Sequence, residues 1–183
     1  MPEAEPYRCR LCLVASPTLD PARLGAALAG GDVASVIIAT GGADTDALQR
    51  GAEVLVPIAQ GRGAAALVEN DTRVVWRVGA DGGHISGGAT ALAAAIASLH
   101  PKRLVGAGTL RSRHEAMAAG EANPDYVFFG RLHGDTGDAI FDKALDLANW
   151  WAPTFVVPAI LMGGRSFASV RQGAATGVEF VAL

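Results

Sequence analysis

Cysteine is scarce in this chain, which holds only Cys9 and Cys12 among 183 residues. Two thiols cannot build a disulfide framework, and without further cysteine or a nearby histidine they make an incomplete zinc site. Their C-x-x-C spacing falls at a β-rich run, Arg10 to Ala15, where residues three apart face opposite sides of a strand. Both are expected to stay reduced and metal-free.

Clustered positive charge is missing too. The net charge is −3 and the lysines and arginines are scattered, so the chain lacks the basic footprint that a phosphate backbone requires. Nucleic acid is thereby excluded as the expected partner. Long apolar runs are absent: Phe155 to Met162 is well short of a membrane span and is broken by Pro158. Ahead of Tyr7 stand Glu3 and Glu5, not the basic and apolar regions of a signal peptide. These features predict a cytoplasmic protein with no membrane partner. No G-x-G-x-x-G follows the first β-rich run, where Ser16-Pro17-Thr18 occupies the turn, so a dinucleotide-binding open sheet loses its main signal.

What is present is apolar content and alternation. Half of the residues are hydrophobic, enough for one substantial core and too few for two, so residues 1–183 are expected to form a single domain. Eight short runs read as strands: Arg10 to Ala15, Val33 to Ala39, Ala64 to Glu69, Gly82 to Ile85, Arg103 to Gly106, Tyr126 to Phe129, Ala159 to Met162 and Val178 to Val181. Between them run helical stripes, one through Leu48, Ala52, Leu55 and Ala59, another through Leu92, Ile96 and Leu99, and a third through Ile140, Ala144, Leu147, Ala148 and Trp151. Asp20-Pro21 reads as a helix start, and Gly30, Gly51, Gly120 and Gly173 stand at or near possible helix ends.

Parallel strands joined by helical crossovers, repeated eight times, predict a closed TIM (β/α)8 barrel, with the open doubly wound sheet as the alternative. The last helix is expected to be missing or incomplete, since Leu183 follows the eighth strand directly. The outer face of strands one and eight is therefore expected to be covered by the N-terminal residues or by a neighbouring subunit, a possible homo-oligomer. Function in such a barrel sits on the loops that follow the strands.

Those loops carry a resemblance. Asn70-Asp71 followed by Val78-Gly79-Ala80-Asp81-Gly82-Gly83-His84-Ile85, then Asp125 to Gly130, Val157 to Gly164 and Gly177 to Ala182, are similar in order and spacing to segments of the thiamine phosphate synthase family, which also contains thiazole tautomerases. The similarity holds by motif from Ala64 onward and by pattern before it. It implies the barrel fold and a transferase of thiamine biosynthesis that joins a pyrimidine methyl diphosphate to a thiazole phosphate. Mg²⁺ would hold the leaving diphosphate. The resemblance places a metal ligand at Asp71, catalytic roles at Asn70 and Arg111, and a small phosphorylated metabolite at Gly163 and Gly164. Arg165 or Arg111 would supplement that phosphate site, and Ala182 replaces a family serine there.

The chain also departs from the family pattern. A glutamine-x-arginine-x-lysine series that strand two supplies in the family corresponds here to Ile37, Ala39 and Gly41, and the loop Ser86-Gly87-Gly88 lacks the family's second acid. The lysine after strand six is replaced by Arg131 to Asp138, an acidic loop. The tautomerase histidine aligns with Arg111, while His114 lies three residues later. Synthase activity is therefore in question, and the alternatives are a non-catalytic phosphate-metabolite binder or a tautomerase-like isomerase. Several residues keep two readings. Asp71 is a metal ligand or a helix cap, and His84 a catalyst or a hydrogen-bonded core residue. Arg111, Arg113 and Arg131 form an anion pocket or solvated surface, and His133, Asp135 and Asp138 form a metal set or a surface turn.

Overall fold

The computed structural model describes residues 8–133 and 137–183. Residues 1–7, one expected cover for strands one and eight, and Asp135 of the acidic loop lie outside the described residues. The elements alternate: β1 (Arg10–Ala15), α1 (Pro21–Ala29), β2 (Val33–Ile38), α2 (Thr45–Gly61), β3 (Ala65–Glu69), α3 (Thr72–Val78), β4 (Gly82–Ile85) and α4 (Gly88–Leu99). They continue as β5 (Leu104–Ala107), α5 (Arg113–Glu121), β6 (Tyr126–Phe129), α6 (Asp142–Trp151), β7 (Ala159–Met162), α7 (Phe167–Ala175) and β8 (Phe180–Ala182). The strands pair in sequence order, all parallel, and the barrel closes as Arg10, Leu11 and Cys12 of β1 register with Phe180, Val181 and Ala182 of β8.

Short polar side chains set the helix starts. Asp20, Asp44, Asp71, Ser112 and Ser166 each accept a backbone N–H from the first turn of the helix that follows, which satisfies donors that have no partner inside the helix. Gly51 is not a helix end but lies within α2, where a Cβ would stand 2.2 Å from the Pro17 carbonyl oxygen. It is a close-approach glycine that lets α2 pack onto the β1–α1 loop. The strand β8 begins at Phe180, two residues later than the sequence pattern predicts. Val178 instead donates to Thr176 Oγ1 at 3.4 Å, and the Glu179 carboxylate accepts the Ala159 N–H at 2.7 Å.

The last contact belongs to a repeated device. Acids just ahead of β4, β6 and β8 (Asp81, Asp125 and Glu179) accept backbone N–H groups of Ala66, Val105 and Ala159 in the preceding strand, at 2.7–2.8 Å. Each ties the start of one strand to its neighbour at the end of the barrel away from the functional loops. Charge-assisted bonds of this kind contribute about 1.5–3 kcal/mol each.

Two apolar layers follow from strand alternation. Outward residues such as Val36, Val68, Val105 and Leu161 pack under the helix stripes, while Cys12, Ile37, Leu67, Phe128, Ile160 and Met162 fill the interior. Cys9 packs with the outer layer and Cys12 with the inner one, as the opposite-face argument requires. Burial pushes the Cys12 thiol up to about 12. Among the described residues no helix is long and apolar enough to cross a membrane.

Candidate functional site

At the loop end of the barrel the apolar filling stops at one charged side chain. Glu69, the last residue of β3, follows Leu67 on the inward face and is only 2 % exposed. Four donors surround its carboxylate. The Thr40 N–H and hydroxyl reach Oε2 at 2.7 and 2.9 Å, the Ser86 hydroxyl reaches Oε1 at 2.9 Å, and His133 Nε2 lies 2.8 Å from Oε2. Burial alone would raise the pKa of this carboxyl, yet the hydrogen bonds together hold it below the usual value. Glu69 is thus ionised, and an ionised carboxylate only accepts, so His133 Nε2 carries the shared proton.

Beside Glu69 in the β3–β4 register stands His84, fully buried. Its Nδ1 lies 2.9 Å from the Tyr126 hydroxyl, the two rings stack, and Phe128 meets it edge-on. Nε2 has no hydrogen-bond partner among the described residues. Burial drives the His84 pKa down to about 4, so the ring is neutral at pH 7. Glycine makes the room: a Cβ at Gly106 would fall 1.9 Å from Tyr126 Cζ, and one at Gly108 2.4 Å from His84 Nε2. His84 is therefore a core residue with one unsatisfied nitrogen.

Glu69 divides two depressions. On one side a cavity of about 510 Å³ opens between the loops after β5 and β6 and the start of α6, lined among others by Ser86, Arg111, His133, Phe141 and Lys143. Thr109, also in its wall, has φ +60°, an uncommon backbone for a β-branched residue. On the other side a depression of about 330 Å³ is bordered by Thr40, Thr45, Asn70, Asp71 and Arg73. A wider concavity, about 700 Å³, lies at the opposite end among Asp81, His100 and Asp125. Those polar groups are spent on strand-start bonds, so it is a structural feature of the closed end.

The residues expected from sequence divide between these places. Arg111 lines the 510 Å³ cavity, its N–H held by the Glu115 carboxylate at 2.6 Å. Asn70 adopts φ +59°, donates its N–H to the His84 carbonyl, and accepts the Ser86 N–H at 2.8 Å, bridging the two loops. Asp71 accepts the N–H groups of Arg73 and Val74 as the cap of α3, with Thr45 Oγ1 at 3.4 Å. After β7, the Gly163 N–H donates to the Ala182 carbonyl and the Arg165 N–H to the Gly137 carbonyl. Gly164 is buried, and a Cβ there would stand 2.3 Å from the Asp138 carbonyl oxygen. Arg131 stacks over Phe141 at the cavity, whereas Arg113 stacks over Trp150 away from it. Among the described residues no three histidine, cysteine, aspartate or glutamate side chains cluster for a metal.

Glu69 was not among the sequence candidates, because the loop reading began one residue after it. The available signal was a charged residue closing the otherwise apolar strand Ala65–Glu69, on the same face as Leu67.

Comparison with known proteins agrees with the loop motifs. The sequence profile of the TMP-TENI family, thiamine monophosphate synthase, matches residues 11–183. The thiamine-phosphate synthase of Rhodospirillum centenum is 33 % identical over 96 % of this chain and 87 % of its own length. That of Hyphomonas neptunium is 29 % identical over 96 % and 84 %. Among solved structures, a thiamine phosphate pyrophosphorylase from Pyrococcus furiosus superposes with a TM-score of 0.77 at 20 % identity, covering 97 % of this chain and 86 % of that one. With the closed parallel barrel, the loop motifs and the profile match over most of its length, the chain belongs to the thiamine monophosphate synthase family.

Proposed function

We propose that this barrel binds a small phosphorylated metabolite of thiamine biosynthesis at its loop end and does not displace diphosphate as family synthases do. The observation that carries this reading is the ionised Glu69 at the mouth, held by Thr40 on the β2 side and Ser86 on the β4 side. A diphosphate leaving group needs positive charge gathered there. Here the positions corresponding to the family's cationic series are Ile37 in the barrel interior, buried Ala39 and Gly41 in an exposed turn.

A magnesium ion does not fit the residues that would hold it. Asp71 spends one oxygen on two backbone N–H groups of α3, and the loop after β4 offers Ser86, Gly87 and Gly88 in place of an acid. One engaged carboxylate is a poor magnesium site. No step is therefore assigned to a metal.

The paired test uses the full chain. Calorimetric titration with thiazole phosphate is expected to show binding, and incubation with that compound, the pyrimidine methyl diphosphate and Mg²⁺ is expected to yield no thiamine phosphate. Thiamine phosphate formed above the rate of a protein-free control refutes the reading.

A further inference from the structure

We propose that the phosphate of the ligand sits between the loop after β5 and the first turn of α6, on Arg111 and Lys143 and not at the turn after β7, and that Glu115 is the positioning residue that holds Arg111 there. The proposal deepens the metabolite-binding reading and rests on it.

The turn after β7 is already filled by the chain itself. Its Gly163 N–H donates to the Ala182 carbonyl and its Arg165 N–H to the Gly137 carbonyl. Ser166, the cap of α7, donates its hydroxyl to the Asp138 carbonyl at 2.8 Å and accepts the Ser169 N–H at 3.1 Å. The carbonyls of Gly137 and Asp138 thus take donors that an anion would need, and their oxygens repel one.

The 510 Å³ cavity has the opposite character. Arg111 and Lys143 bring positive charge to its wall from the β5–α5 loop and from α6. No side chain caps α6, so the partial positive charge of that helix end adds to theirs. At the inner end stands the ionised Glu69, which turns an anion away from the barrel interior and towards this wall. Between the two, Leu110, Leu132 and Phe141 form an apolar lining. The cavity therefore fits a monophosphate ester of a small ring compound, with its phosphate outward and its uncharged ring inward.

Arg111 is held on a loop whose backbone is tied at both ends. The Gly108 N–H donates to the Ile85 carbonyl at 2.8 Å, Leu110 packs against both apolar clusters of the outer layer, and the Arg111 N–H donates to Glu115 Oε2 at 2.6 Å. Ser112 Oγ in turn accepts the Glu115 N–H at 3.2 Å. The two side chains act as a reciprocal helix cap in which the glutamate reaches one residue beyond the capping serine. Within this frame Thr109 keeps φ +60°, a conformation that a β-branched residue holds only where its surroundings over-determine it. A loop so fixed presents Arg111 with little left to order on binding. Glu115 lies outside the cavity lining and acts through Arg111.

Titration with thiazole phosphate, well below Tm, tests both parts. Arg111→Gln and Lys143→Gln are each expected to bind at least about tenfold more weakly, the size of one lost charge-assisted contact. Glu115→Ala is expected to lose about two- to tenfold, the cost of ordering one freed side chain. Glu115→Gln should recover most of that, because its amide oxygen accepts the same N–H. In an Arg111→Gln background, Glu115→Ala should cost no further affinity. A merely structural glutamate would weaken binding equally in both backgrounds, which overturns its positioning role. Unchanged affinity in either cation variant overturns the site. So do crystals soaked with thiazole phosphate that show its phosphate on the Gly163–Gly164 turn, a result that needs no variant to fold. Each of these outcomes leaves metabolite binding standing, whereas failure of the unaltered chain to bind removes the reading beneath as well.

Discussion

His84 shows how one side chain can tie stability to pH without touching the reaction. In the folded barrel burial holds its pKa at about 4 against a usual 6.5. The unfolded chain therefore binds a proton between those values that the folded chain refuses. Stability from this group is complete above pH 6.5 and falls as pH drops towards 4, a loss of about 3 kcal/mol by linkage. Glu69 adds to the same acid limb, since its folded pKa is lowered and its contribution is lost as pH falls through that value. Denaturant melts of the unaltered chain and of His84→Gln from pH 7 to 4 are expected to diverge, with the variant showing the shallower loss; parallel curves refute this assignment. Cys12 gives a second residue-scale expectation. With its thiol buried and its pKa near 12, it reacts with a thiol reagent at pH 8 only after unfolding, while half-buried Cys9 reacts in the native chain. Counting modified thiols by mass spectrometry before and after denaturation checks this.

At the scale of elements, the strands and helix stripes were readable because a barrel imposes two clean periods, apolar runs of four to six residues and stripes such as Leu48, Ala52, Leu55 and Ala59. The loop chemistry was less so. Asp71 follows a strand and precedes a helix, a position that suits either a cap or a metal ligand, and the bonds to Arg73 and Val74 that make it a cap are visible only in the folded chain. His133 lies 64 residues from Glu69, and no local pattern announces a pair at that separation. Gly51 looked like a helix end because sequence shows the residue but not Pro17 lying against it. The same logic makes Gly106 in β5 a sensitive position, since its missing side chain houses the Tyr126 ring. Gly106→Ala is expected to destabilise the fold by roughly 2–3 kcal/mol, as overpacked cores do. Adding Tyr126→Leu should recover part of that loss in a double-mutant cycle. Simple additivity of the two changes means that the ring is not the obstacle.

Across the whole molecule, the two ends of the barrel have different work. The closed end is fastened by Asp81, Asp125 and Glu179, whose carboxylates bind strand N–H groups, and the loop end holds Glu69, His133 and Arg111 around a cavity. Stability and ligand binding should therefore separate by position. Asp125 makes the sharpest test because one oxygen accepts both the Val105 N–H at 2.7 Å and the His100 ring at 2.9 Å. Asp125→Asn keeps the shape but removes the charge that strengthens both bonds. The side chain is 38 % exposed, so water recovers part of the loss, leaving a cost of about 1–2 kcal/mol. For a domain of this size that lowers Tm by roughly 3–6 °C. Thiazole phosphate affinity, measured well below Tm, should not change, because nothing at the closed end reaches the cavity lining. Arg111→Gln should do the reverse: weaker binding with an unshifted Tm, since its exposed guanidinium makes no hydrogen bond or ion pair among the described residues and its backbone N–H still donates to Glu115. Calorimetric scans and titrations on the two variants give all four numbers. If Asp125→Asn weakens binding as much as it lowers Tm, the two ends are energetically coupled and the division of labour fails.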